Sequence, residues 1–120
     1  MSVVCTAQND QLKVNAIINE IHGLRHDGSA GPGIPAVFGM NFQAVSVGQK
    51  LSSDNLDGSC NNDPLSGKPG GYLDGSGTPT DVLAYGLQQT DQALGSMIQA
   101  LKDRGIYDST LFIVSAKHGQ

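Results

Sequence analysis

The sequence predicts a single α/β domain built on a parallel β-sheet. Residues 111–114, LFIV, are an apolar run without alternation, which is typical of a parallel strand covered on both faces. This run follows a long amphipathic segment and a glycine turn, and the order helix, turn, buried strand is half of a β-α-β unit. The length of 120 residues is enough for one domain with a modest core.

Two segments are predicted to be helical. Residues 10–22 carry apolar side chains on one face, and Asp10 can cap the start. Residues 81–104 have the clearer amphipathic pattern, with Thr80 as N-cap and Gly105 just past the end. The residues that predict the two apolar faces are Leu12, Ala16, Ile17, Ile18 and Ile21 in the first helix and Leu83, Leu87, Leu94, Met97, Ile98 and Leu101 in the second.

The other segments are predicted to be extended or irregular. Residues 35–47 are expected to be extended and residues 110–116 to form a strand. Residues 50–79 are rich in Gly, Ser, Asn, Asp and Pro, which predicts a long loop of the kind that is usually functional or disordered. A buried parallel strand needs neighbours on both sides, and the chain offers at most one other good strand. The domain is therefore expected to be a piece of a larger α/β protein.

Composition excludes some classes of function and leaves others open. The net charge of -4 argues weakly against nucleic-acid binding, which favours a basic face. No segment approaches the roughly 20 apolar residues of a membrane-spanning helix, and no signal-peptide pattern is present at the start. Cys5 and Cys60 can form one disulfide or remain two unrelated thiols, because sequence does not show proximity.

Candidate chemistry follows the last predicted strand. Lys117 and His118 come directly after residues 110–116, and ligand sites in open parallel sheets form at the carboxyl ends of strands. The imidazole of His118 can ligate a metal or act as a base near neutral pH. Lys117 can hold an anionic oxygen, and Asp74 is expected to point into the same crevice. The alternative is that all three are ordinary loop residues.

Two further patterns are interpreted as structural. His22 and His26 have the spacing of a helical zinc pair, but the glycine between them weakens the helix and favours a solvated turn. Three aspartates lie in a stretch that loosely resembles a calcium loop but lacks its spacing and its closing Glu. These aspartates, interpreted as solvated turn residues, are Asp54, Asp57 and Asp63.

Four stretches of the chain resemble the alkaline phosphatase superfamily, closest to its phosphodiesterase and nucleotide pyrophosphatase branch. They are IPAVFGMNFQAVSVGQKL, GGYLDGSGTPTDVL, TDQALGSMIQALKDRGIYDSTLFIVSAKHGQ and KVNAIINEIHG. The third is the most specific, because in the superfamily a D-x-x-L-G helix leads through L-x-x-x-G-x-x-D-x-T into a strand ending in S-D-H-G. The resemblance implies an alkaline-phosphatase-like three-layer sandwich, of which this chain is expected to be the C-terminal part of the catalytic domain.

The resemblance also implies metal-assisted hydrolysis of a small phosphate ester. Such enzymes use paired divalent ions, commonly zinc with manganese as a second candidate, which neutralise phosphate oxygens and lower the pKa of the attacking group. Asp74 and His118 match metal ligands of the family. Lys117 stands where an Asp ligand is expected and is assigned a catalytic contact to the phosphate. Thr78 stands where a His ligand is expected, and the nucleophile has no counterpart.

Two alternatives to this function remain open. The chain can be a non-catalytic remnant that binds an anion, a partner, itself or a complementary segment, because an unpaired apolar strand favours association. It can also hydrolyse by a different arrangement, with His118 as the base. Localisation is left undetermined: relatives are often extracytoplasmic, yet no signal peptide is visible.

Overall fold

The computed structural model describes residues 1–56, 58 and 60–116. Helix α1 spans Val3–Ile21, α2 spans Ala44–Lys50 and α3 spans Asp81–Asp103, and one turn of 3-10 helix follows at Tyr107–Ser109. No β-strand forms among these residues, where extended backbone meets only in isolated antiparallel bridges. The predicted α/β domain with a parallel sheet, and with it the three-layer sandwich, is therefore wrong for the part of the chain described.

Residues 110–116 do not form the predicted strand. The N–H of Thr110 donates to the carbonyl of Tyr107 at 3.1 Å, and the residues after it adopt no regular structure. The side chains of Leu111 and Ile113 are 83% and 72% exposed. The apolar run correctly indicates a segment whose side chains favour burial. A strand, however, also needs the backbone of a neighbour, and the described residues supply none.

The predicted extended segment 35–47 is helical at its C-terminal end. Residues 35–43 have no regular structure, and α2 begins at Ala44. The reason is a distant cap: Oδ2 of Asp10 accepts the N–H of Gln43 at 2.7 Å and the N–H of Ala44 at 2.9 Å. Two otherwise unpaired amides at the helix start are thereby satisfied. This tertiary contact overrides the local preference of Val45 and Val47 for extended backbone.

Helix α1 starts earlier than the predicted residue 10. Ser2 is its N-cap, and the Ser2 Oγ accepts the N–H of Cys5 at 3.2 Å. The buried residues that recur every three or four positions are Val3, Ala7, Asp10, Val14, Ile17 and Ile21. Asp10 lies within this buried stripe, so its predicted role as the cap of its own helix is wrong. Leu12 is exposed rather than part of the apolar face.

The prediction of a helix over residues 81–104 agrees with α3 to within one residue. Oγ1 of Thr80 accepts the N–H of Leu83 at 3.3 Å, as a helix cap should. The chain leaves the helix through Gly105 at φ +66°, a left-handed conformation that favours glycine. The buried side chains that the periodicity predicted are Leu83, Met97 and Leu101. Leu87, also predicted for the apolar face, is exposed.

The three helices pack through two apolar clusters. The first joins the C-terminal halves of α1 and α3, and its buried members are Val14, Ile17, Ile21, Ala93, Met97, Ala100 and Leu101. The second joins the N-terminal ends of α1 and α3 to α2, and its buried members are Val3, Val4, Ala7, Ala44 and Val82. None of the helices in the described part of the chain combines the length and apolarity needed to span a membrane.

Backbone hydrogen bonds fold the long loop between α2 and α3 back against the helices. The N–H of Gly70 donates to the carbonyl of Leu51, and the N–H of Thr80 donates to the carbonyl of Gly71, at 2.9 and 3.0 Å. These bonds bring the last part of the loop next to its first residues and next to the start of α3. The prediction of an irregular connection across residues 50–79 is confirmed for the described residues of this range, except that Lys50 belongs to α2.

Candidate functional site

Asp74 lies at the tip of a tight turn shortly before α3. Its Oδ1 accepts the N–H of Ser76 at 2.9 Å and the N–H of Thr78 at 3.2 Å. The N–H of Leu73 donates to the carbonyl of Thr78 at 2.7 Å, which closes the base of the turn. The carboxylate is exposed to solvent, yet these bonds hold it in one orientation.

Hydrogen bonds lower the pKa of Asp74. The largest contribution comes from the side chain of Thr78, followed by the Thr78 backbone N–H, and Ser76 adds to both. Hydrogen bonds to the charged form of a carboxyl group favour ionisation, so Asp74 is an anion at neutral pH. Thr78 occupies the position where the superfamily pattern has a His ligand. In this turn its side chain supports the neighbouring carboxylate instead.

The other two predicted site residues, Lys117 and His118, lie outside the described residues. Within the described ranges, no three His, Cys, Asp or Glu side chains come together in a way that could hold a metal ion. Asp74 is therefore the one predicted metal ligand whose surroundings are described, and it does not form a metal site with other described residues.

The histidine pair of the sequence makes structural contacts. Nδ1 of His22 lies 2.8 Å from the carbonyl oxygen of Ile18, which requires that nitrogen to carry the proton. The carbonyl of His26 accepts a hydrogen bond from Nδ2 of Asn19 at 3.0 Å. Both histidines are exposed and help to end α1, in agreement with the interpretation of this segment as a solvated turn. Asp57, for which the sequence also indicates a solvated turn, lies outside the described residues.

Asp54 and Asp63 form a buried carboxyl pair, so their interpretation as solvated turn residues is wrong. Asp54 is 0% exposed and Asp63 is 9% exposed. Oδ2 of Asp54 accepts the N–H of Val3 at 2.8 Å, and Oδ1 of Asp63 accepts the N–H of Leu65 at 2.9 Å. The other two oxygens have no well-oriented donor among the described residues. The two carboxyl groups lie within hydrogen-bonding reach of each other and of the Ser2 side chain.

The pKa values of the two carboxyl groups are shifted in opposite directions. Burial raises the pKa of Asp54, and the hydrogen bond and charge of Asp63 raise it further. Burial also acts to raise the pKa of Asp63, but hydrogen bonds from Asp54, Ser2 and the Leu65 N–H outweigh it and leave that pKa lowered. Such a split is characteristic of two acids that titrate as one coupled unit.

A disulfide between Cys5 and Cys60 decides between the two alternatives that the sequence left open. Their Cα atoms are 5.3 Å apart, within the usual range for a disulfide, and the bond joins positions 55 residues apart. It links the first turns of α1 to the loop that contains Asp54 and Asp63. The N-terminal end of α1 is thus attached to this loop both covalently and through the bond from Val3 to Asp54.

The roles of three aspartates were missed by sequence reasoning. A signal was present for Asp10, because it falls in register with the buried positions Ala7 and Val14 of α1. A carboxylate on a buried helix face must find donors, which in this protein are the amides at the start of α2. No comparable signal exists for Asp54 and Asp63, because their loop has no periodicity.

Comparisons with known proteins add no relative. A scan against protein-family models matched no family, and searches of curated proteins and of solved structures found no similar chain. The resemblance to the alkaline phosphatase superfamily rests on the sequence stretches quoted above and stays a prediction.

Proposed function

We propose that this chain takes part in the metal-assisted hydrolysis of phosphate esters, as its resemblance to the alkaline phosphatase superfamily implies. Asp74 and His118 would be ligands of a divalent ion, and Lys117 would contact a phosphate oxygen. The observation that supports the proposal is the ordered, ionised carboxylate of Asp74 shortly before α3.

The geometry of Asp74 suits a metal ligand. Two backbone N–H bonds to Oδ1 fix the carboxyl group while it remains open to solvent. The lowered pKa keeps the carboxyl group ionised to more acidic pH than an ordinary aspartate, so over that range no proton has to leave when a cation binds. Zinc accepts both carboxylate oxygen and imidazole nitrogen, so Asp74 and His118 form a chemically suitable pair. Manganese is the second candidate, because carboxylates suit it.

Two ligands are fewer than a two-metal site requires. The ammonium group of Lys117 would repel a metal but attract a phosphate oxygen, to which Lys binds as a compact point charge. We therefore expect the remaining ligands and the nucleophile to be residues other than Asp74, Lys117 and His118. The phosphate ester itself is a small molecule whose identity the proposal leaves open.

Metal binding and hydrolysis test the proposal together. Zinc and manganese are titrated calorimetrically into the chain, and p-nitrophenyl phosphate and its bis ester are assayed with each metal and with EDTA. The variants are Asp74→Asn and His118→Ala, with Asp91→Asn as control because Asp91 is an exposed aspartate on α3. Both site variants should weaken zinc binding and remove any chelator-sensitive turnover, and the control should change neither.

Two results would contradict the proposal. One is a correctly folded chain that binds zinc as well after both site substitutions as before them. The other is hydrolysis that persists in EDTA and still needs His118, which would favour the alternative with His118 as a base.

The second candidate function is partner binding through residues 110–116, the C-terminal apolar segment. The observation that favours it is the exposure of Leu111, Ile113 and Val114, which are consecutive or nearly so on irregular backbone. An exposed apolar segment that lies outside any helix or sheet can add to the strand edge of a partner.

Light scattering after size-exclusion chromatography tests this candidate. The variant Ile113→Lys places a charge in the C-terminal apolar segment, and Leu12→Lys places one on a comparably exposed leucine of α1. Self-association that grows with concentration and that only the first substitution reduces would support the candidate. A wild-type chain that stays monomeric, or equal effects of both substitutions, would contradict self-association as its form.

A further inference from the structure

The segment from residue 54 to residue 63 is attached at both ends to the start of α1. At one end, Asp54 accepts the N–H of Val3, which is the first residue of the helix. At the other end, Asp63 lies within hydrogen-bonding reach of Asp54 and of the N-cap residue Ser2. Whatever holds the two carboxyl groups together therefore adds to the Cys5–Cys60 disulfide, which joins the same segment to the helix.

We propose that Asp54 and Asp63 share one proton, bound between Asp54 Oδ1 and Asp63 Oδ2, and that over a limited range of pH this proton strengthens the contact of the two residues with the start of α1, which the Cys5–Cys60 disulfide also joins covalently to their loop. The inference concerns a different part of the chain from Asp74 and does not rest on the proposed function. It assigns a pH-sensitive attachment to the loop that leads to α3.

A single proton accounts for the geometry of the pair. The oxygens that face backbone amides, Asp54 Oδ2 and Asp63 Oδ1, already accept N–H bonds. The two that remain are buried acceptors, and an O–H on one of them satisfies both. A metal ion would need several more oxygen ligands, and the described residues offer no third acidic or histidine side chain at this place.

Asp54, rather than Asp63, is the residue that carries the shared proton. This residue is completely buried, so its ionised form would lose the most hydration. Each carboxyl group accepts one backbone N–H and lies near the Ser2 side chain, but only Asp63 is also favoured in its ionised form by the positive amino group of Met1. Asp63 is accordingly the carboxylate and Asp54 the acid that donates to it.

The neighbouring charged groups are compatible with this assignment. From α3, Tyr85 faces the pair, and its pKa is raised by burial and then by the charge of Asp63. Lys68 gives its backbone carbonyl to the N–H of Asp54, but its ammonium group pairs with Asp81 at 2.7 Å. From α2, Lys50 bonds to Ser46 instead. The amino group of Met1 lowers the pKa of Asp63 and so favours its ionised form.

The sign of the pH dependence follows from the two opposite shifts. Because the pKa of Asp54 is raised in the folded state, its stabilising effect is present at low pH and lost as pH rises through that raised value. Because the pKa of Asp63 is lowered, its effect is present above the ordinary aspartate value and lost as pH falls through the lowered one. Stability should therefore be greatest at pH values between the lowered pKa of Asp63 and the raised pKa of Asp54, and should decline below and above this range.

The substitution Asp54→Asn tests the decline in stability at the higher-pH end of this profile. The asparagine amide can donate permanently to Asp63 while its oxygen accepts the Val3 N–H, so it imitates the protonated acid. The urea midpoint of unfolding is followed by circular dichroism from acid to mildly alkaline pH. The variant should lose the decline in stability that follows the raised pKa of Asp54 and keep the decline at lower pH. The control Asp91→Asn should retain the wild-type profile, because Asp91 is exposed.

A double variant and a spectroscopic titration complete the test. In Asp54→Asn with Asp63→Asn, two amide donors face each other, and the urea midpoint should fall at every pH. Carbon-13 NMR of the two wild-type carboxyl groups should show linked titrations, one above and one below the ordinary aspartate range. The proposal is overturned if both carboxyl groups titrate independently within that range, or if Asp54→Asn shows the same loss of stability with rising pH as the wild type.

Discussion

The carboxylate of Asp10 caps a helix that begins 34 residues later, because its Oδ2 accepts the N–H of Ala44 at 2.9 Å. The same oxygen accepts the N–H of Gln43 at 2.7 Å, and Oδ1 lies 2.9 Å from Nζ of Lys13. The charge is therefore compensated although the carboxyl group is buried. Asp10 joins α1 to a short helix that has no side-chain cap from its own N-cap residue.

Replacing Asp10 with alanine should destabilise the protein by about 1–3 kcal/mol, the usual cost of leaving buried hydrogen-bonding groups unpaired. Two amides at the start of α2 would lose their acceptor. Circular dichroism during urea unfolding gives the difference, since the chain contains no tryptophan. Asp91→Ala on the exposed face of α3 is the control and should change stability by no more than about 0.5 kcal/mol. Equal effects of the two substitutions would contradict the capping role.

A glycine at position 86 lets α2 and α3 approach each other closely. A Cβ atom there would stand 2.8 Å from the carbonyl oxygen of Ala44, which is backbone and has little room to yield. Gly86→Ala should therefore destabilise the protein by about 1–3 kcal/mol through overpacking. Gly95 in the same helix has open space around it, and Gly95→Ala should stabilise by about 0.5–1 kcal/mol. Thermal unfolding of both variants checks the opposite signs, and a stabilising Gly86→Ala would refute the packing argument.

Loss of the disulfide should be the largest single effect. Closing a loop over a separation of 55 residues restricts the unfolded chain, which corresponds to about 4 kcal/mol in the chain-entropy model. The double variant Cys5→Ser with Cys60→Ser is compared with the oxidised wild type and with the wild type under a reductant. The reduced protein and the double variant should unfold at similar urea concentrations, both lower than the oxidised protein. An unchanged midpoint after reduction would show that the bond contributes no stability.

The side chain of Thr78 should control the ionisation of Asp74. Its hydrogen bond is the largest cause of the lowered pKa, so Thr78→Val should move that pKa up towards the ordinary value of 3.8. The backbone N–H of residue 78 remains in this variant, so the shift should be partial. Carbon-13 NMR of the Asp74 carboxyl group during an acid titration measures it. Asp27, whose pKa is lowered mainly by Ser29, is the internal reference and should not change.

Local patterns of the sequence were sufficient for the long helix. The periodicity of residues 81–104, Thr80 at the start and Gly105 after the end all act within the helix itself. The helix over residues 10–22 was recognised for the same reason, but its first two turns were not. They lack a strong local signal and are held by Asp54 and by the disulfide, which come from more than fifty residues away in the chain.

The fold class failed because a strand is not a local property. Residues 111–114 have the composition of a buried strand, yet a β-sheet requires hydrogen bonds from neighbouring backbone. The candidate site likewise has one part that depends on local sequence and another that depends on contacts between distant segments. The turn around Asp74 depends on residues within four positions of it, whereas any union of Asp74 with His118 depends on how distant segments meet.

The bond between Cys5 and Cys60 also changes what a protease can separate. The connection between α1 and α2 is exposed around Arg25, where trypsin can cut. A cut there would release no fragment, because the disulfide joins a residue before the cut to one after it. The nicked protein would keep the mass of the whole chain plus one water until a reductant separates it into two pieces. Limited proteolysis with and without reductant therefore shows directly that the segments on the two sides of the cut are joined by the disulfide.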